Sequence, residues 1–389
     1  MSTTEAGFPA ITLTEAELDR YVTHPPTRGL LGGTGLPAAT GLLTFSPLRT
    51  HGLRTLADAT DAPFRVADEL RDRLVIGELL NPAGMDRESI LLDGGTGELT
   101  TAYLFDPSRP RPRPFASSLA TLLRFAAVTE ELAGLRGRFA SLADRYGPET
   151  AAEATRRLLS LFEEGAGGEV PPYWKAAALI RPLALAAGPG TTSGLTLDVP
   201  ARLLDQEFGH GRVVRFEEVD FPATLTHEPT RRFLRETGLP EAAVLFHADT
   251  DVPLPTLREY VTEEGADDSS WGELPPPHAD HLIRLGRLIE DHSVVVDGRT
   301  GAVLTFTEPD ATLHPLNTDV STLAFTFWLL HHERTIDEHL GNELTTEAYD
   351  QLAAAMIHTL SAVDPTGTAP GTDWHYWTEM FQDEAGGVL

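Results

Sequence analysis

Thr226-His-Glu-Pro-Thr-Arg-Arg-Phe-Leu-Arg-Glu-Thr-Gly-Leu-Pro240 has an earlier counterpart in the same chain, Thr23-His-Pro-Pro-Thr-Arg-Gly-Leu-Leu-Gly-Gly-Thr-Gly-Leu-Pro37. The two stretches lie 226 − 23 = 203 residues apart and agree at 10 of 15 positions. The shared residues include His, Arg, Thr and Pro in fixed order, which low complexity does not produce. A period near 200 residues is too long for a solenoid repeat and matches a duplicated domain. A second marker keeps the same spacing. Asp93-Gly-Gly-Thr-Gly97 and Asp297-Gly-Arg-Thr-Gly301 are 297 − 93 = 204 residues apart. Both read as hairpin turns, because glycines supply the positive φ that such turns need. The duplication therefore runs from the signature to the hairpin.

Each copy reads in the same order. In the first, Thr14-Glu-Ala-Glu17 has the spacing of a capping box. A helix over 27–34 is stopped by Gly35-Leu-Pro37, with glycine at the position that favours a left-handed backbone. Strands are expected over 8–13 (as an edge), 42–45, 74–80, 89–93 and 99–104, and helices over 63–73, 117–135 and 148–164. In the second copy strands are expected over 212–216, 242–246, 282–289, 293–297 and 302–307. A helix over 255–261 follows the second of these. Asn317-Thr-Asp319 supplies cap residues for a long helix through His331, and 346–363 forms another. Strands with clustered helices make an α+β class rather than alternating βαβ. The expected architecture is a duplicated unit, each a central mostly antiparallel or mixed sheet with packed helices. The boundaries fall at 1–186 and 207–389, and the Gly/Ser/Thr/Pro-rich stretch within 187–206 reads as the linker.

Composition narrows the function classes. The chain has 389 residues and no cysteine, so disulfide frameworks and thiolate metal sites are excluded and a cytoplasmic setting fits. No run approaches the roughly 18 apolar residues of a membrane span, and Met1-Ser-Thr-Thr-Glu-Ala6 lacks the basic flank and apolar core of a signal peptide. Net charge is 30 − 58 = −28, which opposes direct binding to nucleic acid and has two readings, solubility in an acidic, Ala/Arg/Gly-rich proteome or steering towards a basic protein partner.

Motifs for chemistry fail when tested. Gly29-Leu-Leu-Gly-Gly-Thr-Gly35 resembles a phosphate loop, but its glycines fall within and after a helix rather than after a strand. Gly32 and Gly33 become Arg235 and Glu236 in the second copy, and only the stop glycine persists as Gly238. His331-His-Glu333 with His339 lacks the His-Glu-x-x-His spacing of a zinc helix and reads as the solvated and interface-forming end of a helix. His278-Ala-Asp-His281 lies in a Pro-rich approach to a strand and is equally weak. No Gly-x-Ser-x-Gly elbow is present, and a cysteine-dependent deaminase site is impossible. The sequence thus assigns no catalytic, cofactor-binding or metal residues and no enzyme activity. Arg109-Pro-Arg-Pro-Arg-Pro114 reads as an extended surface connection between strand and helix. For partner binding, the candidates are the acidic residues Glu263, Glu264, Asp267 and Asp268 and the aromatic residues Trp374 and Trp377. Aromatic side chains anchor interfaces, although they also close small cores.

Several of these residues carry a family resemblance. Leu225-Thr-His-Glu-Pro-Thr-Arg231, Thr237-Gly-Leu-Pro240, Leu282-Ile-Arg-Leu-Gly286, Asp297-Gly-Arg-Thr-Gly301, Pro315-Leu-Asn317 and Asp319-Val-Ser-Thr-Leu323 together resemble the SUKH-4 group of the SUKH superfamily. The likeness covers 212–363 well. It is looser in the first copy, where 23–37, 93–97 and Ser117-Ser-Leu119 match and an Arg-Pro run replaces Pro-Leu-Asn. The resemblance implies an α+β fold and a role as an immunity protein in a bacterial polymorphic toxin system. Such a protein binds and neutralises a cognate toxin protein, often a nuclease or deaminase domain, and carries no catalytic residues of its own. The Ala/Gly/Arg/Pro-rich, Lys-poor usage fits an actinobacterial origin. An intracellular scaffold with a non-toxin partner is the alternative, and a metal-dependent hydrolase using the His clusters is a lesser one.

Overall fold

The computed structural model describes residues 10–60, 63–80, 88–103, 112–264, 276, 278–289, 292–307, 311–368 and 375–382. The chain forms two compact units: Met1–Ala143 with Ala154–Leu179, and Asp144–Glu153 with Ile180–Leu389. Each is an antiparallel sheet with helices packed on it, the α+β class the sequence implies.

The first unit's sheet runs Leu43–Thr44, Leu74–Leu79, Glu88–Leu92, Leu99–Tyr103, Arg113–Ala116, and Arg54–Thr55 also pairs with Leu74–Leu79. The second runs Phe246–Ala248, Leu282–Leu288, His292–Asp297, Val303–Thr307, Thr312–Asn317. Registers correspond closely. Leu74 faces Leu92 and Val75 faces Leu91, just as Ile283 faces Val296 and Arg284 faces Val295. A bulge follows in both, at Val75/Gly77 and Arg284/Gly286.

Several expectations change at this level: the strand expected over 242–246 lies at Phe246–Ala248, and the helix expected over 346–363 is split at Ala348. The 63–73 stretch is not an α-helix but two 3₁₀ turns, Pro63–Arg65 and Asp68–Leu70, because Val66 and Leu70 turn inward to pack with Leu56, Val75 and Leu91. The Arg-Pro run is not merely a connection either. Arg113–Ala116 is the last strand of its sheet, matched by Thr312–Asn317 in the other unit. Pro114 and Pro315 are tolerated because an edge strand needs hydrogen bonds on one side only. Residues 109–111 lie outside the described residues.

The helix after each sheet fixes the core. Ser118 Oγ accepts from the Thr121 N–H and starts helix Leu119–Ala133. Asp319 Oδ1 accepts from the Ser321 and Thr322 N–H groups and starts helix Val320–His339. Behind each lies a Tyr-Trp pair, again 203 residues apart: Tyr173-Trp174 and Tyr376-Trp377. Within each pair the rings meet edge to face, at 5.0 and 5.1 Å between centroids. Trp174 donates to the Phe115 carbonyl at 2.9 Å, and Trp377 to Asn317 Oδ1 at 3.1 Å. Both indoles are buried in their unit's core, where an unpaired N–H would be costly.

The units differ in what lies around these helices. In the second, a hairpin of Gly188–Pro189 with Leu197–Asp198 and helix Ala201–Phe208 add a layer. Thr196 donates from N and Oγ1 to Asp319 Oδ2 at 2.6 and 2.7 Å, and Leu197 N donates to Ser321 Oγ at 3.0 Å. Residues 187–206, read in the sequence as a linker, carry this hairpin and most of that helix. Val320–Leu330 is consequently buried on every side, whereas Leu119–Ala133 buries one stripe. Among the described residues the first unit has no such hairpin.

Candidate functional site

The duplicated signature is the first candidate, and the geometry explains why it recurs. Thr23 N and His24 N both donate to the Gly94 carbonyl, at 2.8 and 3.0 Å, which docks the helix start onto the hairpin turn. Thr226 N and His227 N do the same with Gly298, at 2.7 and 2.8 Å. Each imidazole is held through Nδ1 by the threonine three residues on, 2.8 Å from Thr27 Oγ1 and from Thr230 Oγ1. A Cβ on Gly97 or Gly301 would collide with that ring, and both glycines have positive φ, +82° and +80°. The signature arginines return to the preceding carbonyls, Arg28 to Val22 at 2.9 Å and Arg231 to Leu225 at 3.3 Å. Gly35 and Gly238, at φ +71° and +80°, then let the chain turn back to pair Leu36 with Ile11 and Leu239 with Val214. The shared His, Thr27/Thr230, Arg and Gly positions are engaged in building the unit. The signature is structural.

Of the six residues expected to bind a partner, Glu263, Glu264 and Trp377 fall within the described residues. Glu263 is exposed near the end of helix Leu257–Glu264, and Glu264 is that helix's last residue. Asp267, Asp268 and Trp374 lie outside the described residues. Trp377 is 1% exposed and plugs the second core through Asn317, so it offers no surface to a partner. Its hydrophobic weight serves packing instead.

The histidine clusters find protein partners. Glu207 lies between His331 and His332, with its carboxylate oxygens 3.2 and 2.9 Å from their Nδ1 atoms. This ties helix Ala201–Phe208 to helix Val320–His339, with the His331 ring against Phe208 at 4.7 Å. Burial pushes the Glu207 carboxyl up, but the His332 and His331 contacts outweigh it and hold the group below its ordinary value. His281 contacts the Arg299 guanidinium through Nε2. Among the described residues no group of three His, Asp or Glu is placed to hold a metal ion. Glu333 departs from the solvated helix end expected: it is fully buried, and burial together with the Asp337 carboxylate pushes its carboxyl up to about 8.

The sequence missed a cavity of about 440 Å³ in the second unit, between the 192–200 segment and signature helix Glu228–Glu236. Leu195, Leu197, Val199 and Phe233 supply its buried apolar part. Thr192, Ser193, Asp198, Arg232 and Glu236 supply polar groups. The wall is organised by Asp198, which accepts from Thr191 N, Thr192 N and Ser193 N at 3.1, 3.1 and 2.8 Å and from the hydroxyls of Thr191 and Thr192. Burial raises that carboxyl, yet the Ser193 and Thr192 hydrogen bonds prevail and hold it well below the usual carboxylate range. Arg232 reaches across and donates to the Ser193 carbonyl. The signal for this wall was a cluster of Thr, Ser and Gly ahead of one Asp, a composition that linkers share.

The geometry defines a tandem α+β protein: one frame built twice, with an extra layer and a cavity on the second copy. The family model described as SUKH-4 immunity protein matches residues 5–177 and again residues 199–383. The chain belongs to the SUKH-4 immunity protein family. No curated protein and no solved structure matches it.

Proposed function

We propose that this chain is a non-enzymatic immunity protein that binds and neutralises a cognate polymorphic toxin whose toxic domain is a basic nuclease or deaminase. The double match to the family carries this reading. The charge of −28 supports the character of the partner, because a domain that acts on nucleic acid is basic and complementary charge speeds encounter. The cytoplasm is where such a toxin meets its substrate, so neutralisation belongs there. We take 1–186 and 207–389 as the two family units, with 187–206 joining them and contributing a layer to the second. Purified chain mixed with a candidate cognate toxin domain tests the proposal. A 1:1 or 1:2 complex that abolishes the domain's nuclease or deaminase activity is expected, and a domain left unbound and fully active contradicts it.

A further inference from the structure

We infer that the cavity between the 192–200 segment and helix Glu228–Glu236 seats an apolar side chain carried on a basic loop of the toxin partner. The inference rests on the immunity reading above and adds the surface that performs it. Four observations lead there.

The first is shape and chemistry. About 440 Å³ falls in the range of binding pockets, roughly 300–1,000 Å³, and has room for a large aromatic or aliphatic side chain with part of its backbone. Leu195, Leu197, Val199 and Phe233 are each 5–7% or 8% exposed and form an apolar floor, while Thr192 and Glu236 stand exposed at the margin. An apolar floor with a polar margin is the arrangement in which a single anchor residue contributes most of a binding energy.

The second is rigidity. A Gly/Ser/Thr-rich segment would ordinarily lose much entropy on binding. Here Asp198 gathers three backbone N–H groups, Arg232 fixes the Ser193 carbonyl, and Asp319 holds Thr196 from the core side. A wall ordered before the partner arrives avoids that cost.

The third is the comparison of copies. Signature positions that build the frame are the same in both, from Thr226 and His227 to Arg231. Of the five positions on this stretch that line the cavity, Pro229 and Thr237 match Pro26 and Thr34, whereas Arg232, Phe233 and Glu236 stand where the first copy has Gly29, Leu30 and Gly33. The framing positions are kept, and three of the five cavity positions change.

The fourth is charge. The cations near this helix are engaged within the unit, Arg231 and Arg235 with Glu218 and Arg232 with Ser193. Glu228 and Glu236 are exposed; Glu236 keeps 63% of its side chain accessible while it pairs with Arg235 at 3.7 Å. A loop with Lys or Arg beside its apolar anchor is complementary to this margin, and a neutral or acidic loop is not.

The test uses the full chain and the basic toxin domain proposed above as its partner. Hydrogen exchange in the free and bound chain should slow at 190–200 and 229–237, while 26–34 exchanges as before. Glu236→Arg reverses the margin's charge and Glu236→Trp obstructs its mouth. Each should weaken binding by about tenfold or more, with an unchanged melting midpoint. Gly29→Trp, on the first unit's helix at the position equivalent to Arg232, where a Cβ meets nothing within 4 Å, is the control and should leave affinity unchanged. A complex that forms with wild-type affinity in both Glu236 variants, with no slowing at 190–200 or 229–237, overturns the inference and leaves the immunity reading standing. A wild-type chain that forms no complex overturns both.

Discussion

Helices Leu119–Ala133 and Val320–His339 follow the same sheet in the two units, start from comparable caps and back onto the same Tyr-Trp pair. One buries a stripe, and the other is buried all round through Leu330. The difference comes from a hairpin and a helix laid on the second, held by hydrogen bonds from Thr196 and Leu197 to Asp319 and Ser321. A duplicated domain thus separates two kinds of residue that a single domain would mix. Those kept in both copies build the frame, and those found in one are free to specialise.

The largest effect should come from the frame. Trp174→Ala and Trp377→Ala each remove a fully buried indole and should cost about 3–5 kcal/mol. Hydrogen exchange resolved by unit should show the loss in the unit that carries the substitution. Equal effects sharpen the comparison; a much milder effect in one unit breaks it.

Glu333 is next, and its sign is specific. Its folded-state pKa of about 8 lies above the ordinary value of 4.5, so the folded protein holds a proton that the unfolded chain releases. Stability drawn from this group is intact below pH 4.5 and is lost as pH rises towards 8. Glu333→Gln should remove that decline, a relative gain of about 2–4 kcal/mol at pH 8 over pH 5. Denaturant midpoints of wild type and variant across this range check it, and parallel curves count against it.

The turn glycines come third. Gly97→Ala and Gly301→Ala place a methyl against the His24 and His227 rings at positive φ and should each cost about 1–3 kcal/mol. Thermal unfolding should rank the two as equals, since both units use the same contact. Smallest is Ser118→Ala, which removes one helix cap for about 1 kcal/mol. Asp319→Ala should cost more, because Asp319 also anchors Thr196, and the excess measures how firmly the added layer is attached.

Much of the frame was legible. Thr14 and Glu17 form the reciprocal capping box that their spacing implied, and Gly35 and Gly238 sit at positive φ where each helix stops. The hairpins at 93–97 and 297–301 join the strands that alternation placed on either side. Periodicity and turn chemistry are local, so they survive in one sequence. What failed depended on long-range partners. The 63–73 helix broke into 3₁₀ turns because Val66 and Leu70 are drawn to the sheet. Glu333 read as solvated beside His331 and His332, which are partly exposed at 38% and 32%, but a helix turns about 100° per residue and points it inward. Trp377 in sequence fits both a core plug and an interface anchor, and its N–H donation to buried Asn317 makes it the plug. The 192–198 wall was hardest to see, since the residues that make a linker flexible also make a tight turn once Asp198 gathers their donors.

The central claim is neutralisation of a toxin, and growth of cells reports it most directly. A candidate cognate toxin domain is expressed from an inducible promoter, with and without the full-length chain. The account predicts that the toxin alone stops growth and that co-expression restores it. Continued arrest, with the chain present at a level equal to or above the toxin, would contradict it.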